Sequence, residues 1–215
     1  MTPTAPAASA WNVANALTVL RLVLVPVFLL ALFQDGGDSA AWRVTAFAAF
    51  AVASVTDRID GELARRHNLV TDFGKIADPI ADKALIGAAL IGLSLLDELP
   101  WWVTVLVLVR EVGITVLRLV VIRHGVLPAS RGGKVKTLLQ SLAIGLLVLP
   151  TEGWVNTVAL GVMAVAVVVT VVTGVDYVIR ALRLRRGSAR TTARNAARAA
   201  RDAARGSGEP GSPRP

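Results

Sequence analysis

The chain has 215 residues, 54% of them hydrophobic and only 18% charged, with a formal net charge of +8 and no cysteine. Soluble domains are nearer a quarter charged, so this composition speaks against one. The missing thiols exclude disulfides and thiolate metal sites.

Residues 1–10 are rich in Ala, Pro and Thr and carry no basic side chain, so an irregular N-terminus is expected rather than a signal peptide. Trp11–Asn15 precedes the first apolar run and is expected to lie along a membrane interface. Six apolar runs follow, Ala16–Phe33, Trp42–Thr56, Ala84–Leu96, Trp101–Ile122, Leu138–Pro150 and Val155–Val175. With their small flanking residues they approach the roughly 20 residues that a helical span needs. The expected fold is therefore all-α, a polytopic integral membrane protein with a six-transmembrane-helix bundle and an interfacial N-terminal segment. Residues 11–186 form one domain on this reading, and 187–215 a basic low-complexity tail.

The connections alternate in charge. Gln34–Ala41 holds Asp35 and Asp38, the next outer connection holds Asp97 and Glu98, and the last holds Glu152. Five Lys or Arg fall in 58–83, four in 123–136, and ten from Arg180 onward. By the positive-inside rule both termini and the 57–83 stretch are cytoplasmic. Trp42, Trp101, Trp102 and Trp154 stand beside the acidic connections, as an outer aromatic belt requires. Arg43 is the exception on that side, and its head group is expected to snorkel outward. In the tail, Arg190, Arg194, Arg198, Arg201 and Arg205 recur at helical spacing, which suits either a helix on an anionic surface or a solvated basic tail.

The stretch DRIDGELARRHNLVTDFGKIADPIADK, 57–83, crowds six acidic and five basic residues between two apolar runs. Ionised groups beside lipid-grade sequence are costly and point to function. If the second span continues as a helix past Thr56, Asp57, Asp60, Gly61, Ala64 and Arg65 share an arc of roughly 140°. Gly74, Asp78, Ala81 and Asp82 occupy a similar arc at the start of the third span, and neighbours joined by so short a loop pack side by side. Four carboxylates then converge, so that several are protonated or cations sit among them. Oxygen donors in this number suit Mg²⁺ or Mn²⁺, and such cations at an inner membrane face suit phosphate chemistry. Taken singly, Asp78 also reads as a helix N-cap before Pro79, and Asp57 and Asp60 as surface charge.

Asp57, Asp60, Gly61, Ala64, Arg65, Gly74, Asp78 and Asp82 form the pattern D-x2-D-G-x2-A-R-x8-G-x3-D-x3-D without a departure. It resembles the signature of the CDP-alcohol phosphatidyltransferases, six-helix membrane enzymes in which an alcohol displaces CMP from CDP-diacylglycerol. The resemblance implies that Asp57, Asp60, Asp78 and Asp82 hold two divalent cations, Mg²⁺ or Mn²⁺, and that Asp82 is also the catalytic base. It implies nucleotide contacts from Gly61, Ala64, Arg65 and Gly74, with Thr71 from the loop. On the first span Asn15, Thr18 and Arg21 are candidates to line the nucleotide site or to join helices. A homodimer in the bacterial plasma membrane is expected from the family alone.

WNVANALTVLRLVLVP, VREVGITVLR, GGKVKTLLQ and TVVTGVDY resemble the phosphatidylglycerophosphate synthase branch, whose acceptor is sn-glycerol 3-phosphate. A phosphate dianion needs cations, and Arg110, Arg118, Lys134 and Lys136 are the candidates near the inner face. The alternative for Arg110 is a simple pair with Glu111. Asp176 and Tyr177 read as interfacial. The rivals keep the fold and change the acceptor to inositol phosphate, serine or phosphatidylglycerol. A cation channel or transporter, or a non-catalytic scaffold, leaves the glycines or the aspartates unexplained.

Overall fold

The computed structural model describes the chain trace over residues 13–67, 72–121, 131–151 and 153–206, and side-chain surroundings for 15–57, 77, 80–117, 120, 135–151 and 153–184. Among the described residues there are six long helices and no strand: α1 Val13–Phe33, α2 Ala40–His67, α3 Asp72–Leu95, α4 Trp101–Val121, α5 Arg131–Val148 and α6 Trp154–Gly206. Residues 1–10, like Trp11 and Asn12, lie outside the described part, while Val13–Asn15 already belong to α1. Each apolar run coincides with one of these helices to within two residues at one end at least, and α2, α3, α5 and α6 extend well beyond their runs at the other. Helix α2 continues eleven residues past Thr56, and α3 begins twelve before Ala84, so the charged stretch is helical on both sides of residues 68–71. In the tail, α6 runs unbroken to Gly206 and carries the arginines spaced at three and four.

Short connections make successive helices antiparallel. A one-turn 3-10 helix, Gln34–Gly37, links α1 to α2. After α3 the backbone closes a Schellman turn, with Glu98 N–H donating to Leu93 O (2.9 Å) and Asp97 N–H to Ser94 O (3.3 Å). Asp97 takes the left-handed conformation at the position after the cap (φ 59°), where Gly is usual but a short polar side chain is tolerated.

Small residues set the packing. Ala46, Ala49 and Ala53 are buried along α2 beneath Phe28 and Leu32 of α1, and Phe28 meets Phe50 at a centroid distance of 5.9 Å. Alanine steps of this kind let backbones approach where lipid gives no hydrophobic drive between helices. Gly92 marks the closest approach of α1 to α3: a Cβ there would stand 2.7 Å from Leu32 Cδ2. The core continues through Leu90, Leu93, Val107, Ile144, Leu147 and Met163. Ser94 and Thr104 are joined at 2.7 Å between α3 and α4, and Thr104 also donates to Leu90 O (3.1 Å).

The outside is apolar too. Val23, Leu30, Val55, Val109, Val168 and Val172 are all exposed. Among the described residues, two helical segments are by length and composition able to cross a membrane, Asn15–Gly37 and Trp154–Leu184, the latter with only 33% of its most apolar window buried. The other four helices are interrupted by charge or shorter in apolar length.

Arg43 departs from expectation. Its side chain does not snorkel outward but is buried against the end of α5, where Nε donates to Val148 O (2.8 Å) and Nη2 to Leu147 O (2.7 Å). Nη2 also pairs with Glu98 at 3.0 Å. The cause is the α5 terminus, whose last carbonyls have no partner within their own helix. Removing a buried cation from such a cap costs about 3 kcal/mol. Arg43→Met should therefore lower the melting temperature in detergent while leaving kcat intact. An unchanged melting temperature would mean that the head group is solvated after all.

Candidate active site

The site lies at the end of the bundle away from Trp42, Trp101, Trp102 and Trp154, between α1, α2, α3, α4 and α5. Its first element is an ion pair. Arg21 of α1 is wholly buried and reaches Asp57 of α2 with Nη1 2.7 Å from Oδ1, while the Asp57 side chain remains 37% exposed. Asn15 and Thr18 are buried on α1 at i−6 and i−3 from Arg21, so all three fall along one strip of that helix.

Asp82 of α3 stands next to this pair. Burial, and then the negative charge of Asp57, hold its carboxyl above the ordinary 3.8, against the opposing pull of Arg21. Asp82 precedes the apolar run that begins at Ala84, so this titration belongs to the aqueous edge of the bundle. Two carboxylates lining one cavity are suited to sharing a cation. The donor set is hard oxygen, which fits Mg²⁺ or Mn²⁺.

Across Asp82 lies a second charge cluster. Lys136 of α5 is buried and paired with Glu111 of α4. Arg110 Nη1 donates to the same carboxylate oxygen at 3.1 Å, and Nη2 donates to Thr173 Oγ1 of α6 at 3.0 Å. Gly174 makes room for the Arg110 stem, since a Cβ would lie 3.3 Å from Arg110 Cγ. Burial pushes the Lys136 ammonium below the ordinary 10.5, and the Glu111 carboxylate opposes that shift. One carboxylate thus holds two cations in place, with a net positive balance.

Two cavities meet at Asp82. The smaller is lined by Arg21, Ser54, Asp57, Asp82, Ile86, Thr137 and Ser141. The larger, of about 150 Å³, is lined by Asp82, Lys83, Ile86, Gly87, Leu108, Glu111, Lys136, Thr137 and Gln140. Asp82, Ile86 and Thr137 belong to both walls.

Of the expected site residues, Asp57, Asp82 and Lys136 are therefore brought together, and Arg110 stands behind Lys136 through Glu111. Asp60, Gly61, Ala64 and Arg65 lie on the last turns of α2, and Gly74 and Asp78 on the first turns of α3. Arg118 lies on α4 and Lys134 on α5; their side chains, like those of Asp60, Arg65 and Asp78, are outside the described residues. Thr71 is outside the described residues altogether. Tyr177 is buried in the bundle rather than interfacial, while Asp176 is exposed and pairs with Arg180 at 2.9 Å.

Polar wall residues missed from the sequence include Ser54, Lys83, Thr137, Ser141, Gln140 and Glu111, the last as the hub of the basic cluster. Glu111 had a legible signal, a carboxylate inside an apolar run. Gln140 falls four residues after Lys136 and so on the same face of α5.

Residues 11–172 match the family described as CDP-alcohol phosphatidyltransferase. The chain is 63% identical over 182 residues to the "Probable phosphatidylglycerophosphate synthase" of Mycobacterium tuberculosis, covering 85% of this chain and 87% of that relative. It is 40% identical over 180 residues to the CDP-diacylglycerol--glycerol-3-phosphate 3-phosphatidyltransferase of Bacillus subtilis, covering 78% and 93%. Similarity to the "Cardiolipin synthase (CMP-forming)" of Streptomyces coelicolor is lower, 34% over 154 residues, or 69% and 70% of the two chains. Matched over most of its helical body, the chain belongs to the CDP-alcohol phosphatidyltransferase family.

Proposed function

We propose that this protein transfers the phosphatidyl group of CDP-diacylglycerol to the primary hydroxyl of sn-glycerol 3-phosphate, giving phosphatidylglycerol phosphate and CMP. The observation that carries the reading is the position of Asp82, a half-buried carboxylate in the shared wall of two cavities. The cavity holding Arg21 and Asp57 is the donor side. The cavity holding Lys136 is the acceptor side, where the Lys136–Glu111–Arg110 cluster offers the net positive charge a phosphate dianion requires.

Asp82 takes the proton of the acceptor's primary hydroxyl. The hydroxyl oxygen forms a bond to the diacylglycerol-bearing phosphorus, the bond from that phosphorus to the CMP oxygen breaks, and CMP leaves with the electron pair. Asp57, Asp60, Asp78 and Asp82 would hold two divalent cations, which when bound neutralise charge on the pyrophosphate. Arg21 holds the Asp57 carboxylate in position. Gly61, Ala64, Arg65, Gly74 and Thr71, with Asn15 and Thr18, form the nucleotide side.

The apolar exterior supports six membrane-crossing helices, with the tryptophan-bearing end outside and the aspartates and both termini at the cytoplasmic face of a bacterial membrane. The protein works as a homodimer on this reading. Phosphatidylglycerol, the acceptor of a cardiolipin synthase, brings a diester and has less need of a buried lysine.

CMP release from CDP-diacylglycerol and glycerol 3-phosphate should stop on chelation with EDTA and return with Mg²⁺ or Mn²⁺. Release that survives complete chelation would contradict the metal-dependent reading.

A further inference from the structure

One wall residue of the larger cavity has no role in binding phosphate or in moving the proton. Gln140 is 2% exposed, and its Nε2 is shut off from solvent without a hydrogen-bond partner among the described residues. A buried amide left in this state costs on the order of 1–3 kcal/mol. Such a group is retained where something else completes its hydrogen bonding.

The register of α5 says what that is. Gln140 follows Lys136 by one helical turn, about 6 Å deeper along the axis. Both line the cavity that Asp82 closes from α3. A phosphate at Lys136 and a reacting hydroxyl at Asp82 mark the two ends of the bound acceptor. Gln140 faces what lies between them. The rest of the wall there is largely apolar, Ile86, Gly87, Leu108 and Val112, with Lys83 and the Thr137 hydroxyl as its other side-chain donors.

We propose that Gln140 is a specificity-determining residue that hydrogen-bonds the central hydroxyl of a three-carbon acceptor phosphate. The assignment rests on reading this cavity as the acceptor site. An amide suits a hydroxyl because it offers both a donor and an acceptor, and the hydroxyl can meet either. A site built this way rejects an analogue lacking the hydroxyl, because its own buried group is then left unpaired.

The test compares glycerol 3-phosphate with 3-hydroxypropyl phosphate, which lacks only the central hydroxyl, by product formation from CDP-diacylglycerol. Wild-type protein should favour glycerol 3-phosphate by about 10- to 100-fold in kcat/KM, the range of a lost hydrogen bond to a buried group. In Gln140→Met the preference should collapse toward unity, with the KM for CDP-diacylglycerol unchanged. Equal use of both acceptors by the wild type overturns the proposal, and this arm does not depend on any variant folding. A strong preference that persists in Gln140→Met overturns it as well, and assigns the amide to a bound water instead. Failure of the acceptor reading looks different: neither three-carbon phosphate would yield a lipid product, while another acceptor would.

Discussion

Asp82→Asn should lower turnover by about 10²–10⁴-fold, the usual contribution of a positioned general base, while donor binding is largely kept. The amide is nearly isosteric with the acid, so packing against Leu85 and Ile86 survives, but it cannot accept the hydroxyl proton. The measurement is kcat from single-turnover CMP release beside the affinity for CDP-diacylglycerol. Equal losses in rate and donor affinity would make Asp82 chiefly a structural ligand.

Lys136→Met should raise the KM for glycerol 3-phosphate by about 100-fold, because truncating one member of a buried hydrogen-bonded charge pair costs about 2–5 kcal/mol. Two effects add. The phosphate loses its cation, and Glu111 is left facing the cavity with Arg110 as its remaining partner. The KM for CDP-diacylglycerol should stay near its wild-type value, since Lys136 has no place in the wall of the smaller cavity. Steady-state kinetics with each substrate varied in turn separates the two. A matching rise in the donor KM would place Lys136 in general folding of the site.

Much of this architecture is legible in the residues themselves. The spacing of Asp57, Asp60, Gly61, Ala64 and Arg65 requires a helix beyond Thr56, and α2 runs to His67. What the sequence hides is the contacts between distant segments that no shared motif or short loop links. Glu111 and Lys136 are 25 residues apart, and nothing local tells that α4 and α5 bring them together. Arg43 is the clearer case. Placed just after an acidic loop and a tryptophan, it has the local look of an interfacial residue. Its partners are the carbonyls of Leu147 and Val148, more than a hundred residues away. An arginine and a set of orphan carbonyls find each other only once the helix ends are stacked. The helix limits were also blurred, because charge lowers local hydropathy without ending a helix. Helix α3 starts at Asp72 although apolar sequence begins at Ala84.

The central claim is the identity of the acceptor, and product mass tests it most directly. Purified protein with CDP-diacylglycerol, a divalent cation and equimolar glycerol 3-phosphate, inositol phosphate, serine and phosphatidylglycerol should yield one new lipid, phosphatidylglycerol phosphate, with CMP in equal amount. Cardiolipin or an inositol lipid as the sole product, or no CMP with any acceptor, would contradict it.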